Sequence, residues 1–155
     1  MLNKNFKEII KIICNSMNRE KIKFALIGSS NLALQGINLK PKDLDFVVKL
    51  KDLKRISKFF SEYLISDIKK LPQMTNEPAW DVKLKINDVN VQFLGERNNG
   101  EYVSKLLRNR IIYLYVDNIK VCCFTLEAEA QAYSETNREK KAKIIREYLE
   151  RIEHR

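Results

Sequence analysis

Residues 43–48 read Asp-Leu-Asp-Phe-Val-Val, two acids set into an otherwise apolar run. Successive residues of a strand point to opposite faces, so Asp43 and Asp45 share one face while Leu44, Phe46 and Val48 fill the other. Carboxylates that point together repel unless a cation lies between them. A short way upstream the apolar run Phe24–Ile27 ends at Gly28-Ser29-Ser30. Gly28 permits close backbone approach. Ser29, Ser30 and the amides of a helix starting there are candidate donors to phosphate oxygens. Mg²⁺ takes a few carboxylates together with phosphate oxygens and water. The stretch FALIGSSNLALQGINLKPKDLDFVV therefore sets phosphate donors beside metal ligands.

Composition narrows the chemistry. The 155 residues, 45% hydrophobic and with few Gly or Pro, suit a single domain spanning 1–155. His154 is the only histidine, next to the last residue, which removes Ser-His-Asp and Cys-His catalysis and most zinc sites. Cys14 falls on the apolar side of a first helix, and Cys122 and Cys123 are neighbours on a strand, facing opposite ways. All three are expected to be buried thiols rather than metal ligands or disulfides. A net charge of +9 favours polyanionic partners such as nucleotide phosphates. The first residues alternate Lys and Asn with Phe6, Ile9, Ile10 and Ile13, an amphipathic helix rather than a signal peptide. No run is long and apolar enough to span a membrane, and the expectation is a cytoplasmic protein.

The elements follow from periodicity and turn residues. Helix is expected over 3–19, strand over 23–27, a short helix over 31–35 stopped at Gly36, strand over 43–50, and helix over 52–65. Residues 66–79 read as irregular, with Pro72 and Pro78. Two hairpins follow, 82–86 with 89–94 around Asn87-Asp88, and 111–116 with 119–124 around Asp117-Asn118. A helical turn is expected over 101–109. Thr125 caps a last helix with Glu127 and Glu129 in its first turns and a break near Asn137. The order is α+β with a short mixed sheet.

An apolar residue, Gly-Ser, a spacer and then Asp-x-Asp on a strand resembles the signature of the DNA polymerase beta-like nucleotidyltransferase superfamily. The layout is similar to the minimal nucleotidyltransferase-like proteins of prokaryotes: a leading helix, ALQG after Gly-Ser, a hairpin closing on Gly95-Glu96, and a late helix near LEAEAQAY. The resemblance implies a nucleotidyltransferase fold in which Gly28 and Ser29, with Ser30, hold the triphosphate and Asp43 and Asp45 bind Mg²⁺ (or Mn²⁺). It implies a third acid in the second hairpin arm, VNVQFLG, where this chain has Gln92. Gln is neutral, cannot act as a base and offers one good oxygen to a metal. Asp81, one pair beyond Lys83 on the same face, is an acid that can approach this position, or one that neutralises Lys83 or Lys85. Lys83 either balances that face, contacts a phosphate or is solvated. Arg138 matches an Arg common in related enzymes, and the Lys and Asp that accompany it there are replaced by Tyr133 and Lys141.

Two functions follow from the resemblance. One is transfer of a nucleoside monophosphate from Mg–NTP to a hydroxyl of a protein, small molecule or RNA end. The other is a catalytically degenerate nucleotide-binding or antitoxin-like module, its third acid replaced by Gln92. A nucleic-acid-binding accessory protein, using Lys40, Lys42, Lys49, Lys51, Lys54, Arg55 and Lys58, ranks below both because no such motif is present. The small size leaves acceptor recognition to a protein partner or a homodimer.

Overall fold

The computed structural model describes residues 2–72, 79–96 and 110–154. The first helix, α1 (Lys4–Arg19), is capped by Asn3, whose side chain accepts from the Phe6 amide at 2.9 Å. It buries Phe6, Ile9, Ile10, Ile13, Cys14 and Met17, the three-and-four spacing of a single apolar face. Next come β1 (Phe24–Ile27), α2 (Gly28–Leu34), β2 (Leu44–Lys49), α3 (Leu53–Phe59), β3 (Leu64–Lys70), β4 (Ala79–Ile86), β5 (Val89–Glu96), β6 (Ile111–Val116), β7 (Ile119–Phe124), α4 (Leu126–Glu135) and α5 (Glu139–Glu153).

The seven strands form one mixed sheet in the order β3-β4-β5-β2-β1-β7-β6. β2 lies at its centre, antiparallel to β1 and parallel to β5, so its residues are flanked on both sides. Phe46 of β2 packs edge-on against Phe24 and stacks on Phe93, which in turn stacks on Phe60. Phe46 is fully buried, and truncation to Ala there costs about 3–5 kcal/mol. This aromatic row joins the apolar faces of α1 and α3 in the main core, so one face of β2 is committed to packing and its acids are left to the other. A second cluster of Leu32, Ile37, Leu126, Tyr133, Ala142 and Ile145 ties α2 to α4 and α5. It holds α4 and α5 against α2, the helix that opens at Gly28.

Both hairpins have the expected bounds within a few residues, with Asn87 at φ +48°, Asp88 at +64° and Asp117 at +54°. Thr125 caps α4, and Asn137 at φ +61° separates α4 from α5. Four expectations are corrected. Residues 64–70 are a strand, not helix end and irregular chain. β3 is an edge strand with bulged pairing to β4 alone and mostly exposed side chains, so it carries no apolar alternation to read. The expected helix 52–65 is confined to α3 and bracketed by 3₁₀ turns at Leu50–Asp52 and Ser61–Tyr63. α2 starts at Gly28 itself rather than at Asn31, and Asp43 stands one residue outside β2. The helical turn expected over 101–109 lies outside the described residues. Among the described residues no helix is long and apolar enough to cross a membrane.

Candidate active site

β1 and β2 run antiparallel with Ile27 opposite Asp45, so Asp45 stands beside the residue that opens the Gly-Ser turn. An added Cβ on Gly28 would lie 3.1 Å from Asp45 Oδ2. Gly28 also has φ +76°, a left-handed backbone that penalises every other residue. Both facts require glycine there. On the other flank of β2, Gln92 is in register with Asp45, and beyond it Lys83 of β4 is opposite Gln92 while Asp81 is opposite Leu94. Paired residues share a face, so Asp45, Gln92 and Lys83 form a row with Asp81 one step along.

Asp43 is exposed and Asp45 half-buried. Burial pushes the Asp45 carboxyl up to about 6, and repulsion from Asp43 adds to it, while Lys141 and Arg138 pull it back. Neither carboxylate is in an ion pair among the described residues. The two cations come from the α4–α5 junction. Arg138 lies over the Tyr133 ring at 4.6 Å and donates from Nε to Thr136 Oγ1 at 3.0 Å. Lys141 Nζ is 5.4 Å from the same ring. Burial of Tyr133 in the second core cluster thus fixes a shelf on which both cations stand toward Asp45.

The remaining candidates divide. Ser29 is half-buried, and its hydroxyl has no partner among the described residues. The Ser30 hydroxyl is fully buried and donates to the Asp43 carbonyl at 2.5 Å, so it braces the Asp-x-Asp strand and is not open to phosphate. The Gly28 amide is likewise taken, donating to Glu129 Oε2 at 2.7 Å. Gln92 donates from Nε2 to Asp81 Oδ2 at 2.8 Å, and Lys83 Nζ lies 4.0 Å from the same oxygen. Asp81 is fully buried, so it stands behind Gln92 rather than open to the hollow, and Lys83 is drawn toward it. Of the basic residues near β2, Arg55 turns to Asp52 and the Glu20 carbonyl, and Lys40, Lys42, Lys51, Lys54 and Lys58 are exposed.

Glu129, read in the sequence only as an acid in the first turns of the last helix, joins the site from α4. It is 3% exposed and accepts from both the Gly28 amide and Asn31 Nδ2 (3.0 Å), locking α4 to the turn. Burial pushes its carboxyl up to about 8, against the pull of those two hydrogen bonds. A signal was present: Glu129 lies three residues after Leu126 and four before Tyr133, on the apolar face of α4. Lys141, placed by the sequence only as a replacement beside Arg138, also acts electrostatically on Asp45.

A Thermotoga maritima protein described as a putative nucleotidyltransferase superposes with a TM-score of 0.76 at 22% sequence identity, covering 97% of this chain and 96% of that one. The likeness is one of fold. The chain is an α+β protein with the nucleotidyltransferase fold, a mixed sheet flanked by helices. No family model and no curated protein matches the sequence. Among the described residues no group of three His, Cys, Asp or Glu can hold a metal. The donor set here is the carboxylate of Asp43 just before β2, that of Asp45 within it, and a carboxamide in register with Asp45. That set fits one hard divalent ion completed by phosphate and water, since Mg²⁺ keeps several waters and needs few protein ligands. It does not fit a pair of ions.

Proposed function

We propose that this chain binds a nucleoside triphosphate with one Mg²⁺ or Mn²⁺ in the hollow beside Gly28, and transfers the nucleoside monophosphate to a hydroxyl acceptor. One observation supports this above the others: the Asp45 carboxylate lies against the Gly28 turn, in no ion pair of its own, and faces Arg138 and Lys141. Asp43 and Asp45 would hold the ion, which supplies charge neutralisation to the triphosphate. Ser29, Arg138 and Lys141 would donate to phosphate oxygens, the two cations through charge-assisted bonds. Their origin on α4–α5 would orient the triphosphate across the sheet edge, leaving the α-phosphorus open to the acceptor. In the transfer, the acceptor oxygen forms the new bond to phosphorus, the bond to pyrophosphate breaks, and the acceptor proton passes to solvent, because Gln92 cannot take it.

A second reading, a nucleotide-binding or antitoxin-like module without turnover, is favoured by that same neutral Gln92. Labelled NTP with Mg²⁺ separates the two. Label transferred by wild type and lost in both Asp43→Asn and Asp45→Asn supports the transferase. Nucleotide bound but never transferred supports the module. Equal transfer by wild type and both variants overturns the first reading. A partner chain or second copy would present the acceptor, and adding candidate acceptors to the same assay tests that.

A further inference from the structure

We propose that Asp81 is a positioning residue that holds the Gln92 amide so that its oxygen, not its nitrogen, stands free beside Asp45 as a third oxygen ligand for the cation. This rests on the metal–nucleotide reading above.

The chemistry of the pair fixes the orientation. A carboxylate only accepts, so the amide group facing Asp81 must be the Nε2 donor, and it lies 2.8 Å from Asp81 Oδ2. The nitrogen is held on the β4 side, so the oxygen occupies the other branch of the planar amide. Asp45 is in register with Gln92 on β2, the strand that flanks β5 on the side away from β4. Among the described residues no donor meets Gln92 Oε1. Carboxamide and carbonyl oxygens suit Mg²⁺ and Mn²⁺. The negative charge behind the amide polarises its N–H and enriches its oxygen, as carboxylates behind metal-bound imidazoles do.

The surroundings of Asp81 argue against a purely structural role. It is fully buried, its Oδ1 has no hydrogen-bond partner among the described residues, and the lysine facing it is 4.0 Å away and half-exposed. A buried carboxylate so thinly satisfied weakens a fold, and a neutral isostere would serve packing better. A neutral Asn offers the Gln92 amide both an acceptor and a donor, so it no longer dictates which end of that amide faces it. The pair is therefore an acid and an amide transposed between neighbouring strands, with the charge one hydrogen bond behind the position that touches the ion.

The test is Mn²⁺ affinity by electron paramagnetic resonance, together with melting temperature at pH 8, for wild type, Asp81→Asn, Gln92→Glu, the double swap Asp81→Asn/Gln92→Glu, and Asp45→Asn. Loss of the Asp81 charge is expected to weaken Mn²⁺ binding about tenfold or more with no fall in melting temperature. Gln92→Glu alone sets two carboxylates in contact and lowers the melting temperature. The swap restores both melting and Mn²⁺ affinity. An Asp81→Asn protein that binds Mn²⁺ within twofold of wild type overturns the proposal, and so does one that melts well below it. Failure of the swap to restore Mn²⁺ affinity also overturns it. If Asp45→Asn binds as wild type does, the metal reading itself fails and takes this one with it. If only Asp45→Asn matters, the positioning role alone is lost.

Discussion

Replacing Asp45 by Asn is expected to stabilise the protein, and the size of the gain follows from the carboxyl's surroundings. Its pKa moves from 3.8 to about 6, chiefly through burial and then through Asp43. Folding therefore favours the protonated form. The contribution of this group to stability is fully present below pH 3.8, declines as pH rises through about 6, and is gone above it. At about 1.4 kcal/mol for each tenfold change in proton affinity, the upper limit is about 3 kcal/mol. Water reaches a half-buried group, so about 1–3 kcal/mol is expected, or roughly 2–10 °C in melting temperature for a chain of this size. Asn keeps the shape and cannot ionise. Thermal melts of wild type and Asp45→Asn at pH 4, 6 and 8 should show no difference at the lowest pH and the full gain at the highest. Saturating Mg²⁺ with nucleotide should shrink the gain by stabilising wild type alone. A variant that melts no higher than wild type at pH 8, or a difference that does not change with pH, would refute the argument that Asp45 is an uncompensated carboxylate held for a ligand.

Other consequences can be measured in the same way. Gly28→Ala adds a left-handed backbone penalty and a Cβ 3.1 Å from Asp45 Oδ2, and should lose about 1–3 kcal/mol together with nucleotide affinity, read by melting and titration. Glu129→Ala strands the Gly28 amide and should cost on the order of 3 kcal/mol, whereas Glu129→Gln keeps an acceptor oxygen and should recover most of it. Glu129 also has a carboxyl raised from 4.5 to about 8, so wild type should lose stability relative to Glu129→Gln as pH rises from 5 to 8. Gly95→Ala would put a methyl 2.5 Å from Leu53 Cδ1 and should lose about 1–3 kcal/mol by overpacking β5 against α3, with nucleotide affinity unchanged in the protein that remains folded.

The fold was legible where local chemistry and packing agree. Asn87-Asp88 and Asp117-Asn118 mark hairpins because those residues tolerate positive φ, and Ile9, Ile10 and Ile13 mark a helix because one face is buried. β3 was illegible because an exposed edge strand needs no apolar face. Within the site, the juxtaposition of Gly28 with Asp45 could be inferred from one strand entering a turn and the next carrying two acids. That the Gly28 amide and the Ser30 hydroxyl already have internal acceptors did not follow, because which donors stay free depends on distant partners. Glu129 lies 101 positions along the chain from Gly28, and no local pattern announces that pairing. Lys141 could be placed beside Arg138 by resemblance, but its nearness to Asp45 comes from the packing of α5 in the second core cluster.

The most direct test of the account is titration of Mg²⁺ and a nucleoside triphosphate onto the purified chain, repeated with excess chelator and with Asp45→Asn. Nucleotide binding is expected to require the divalent ion and to be lost when the Asp45 charge is removed. Binding that persists undiminished without metal, or in Asp45→Asn, would contradict it.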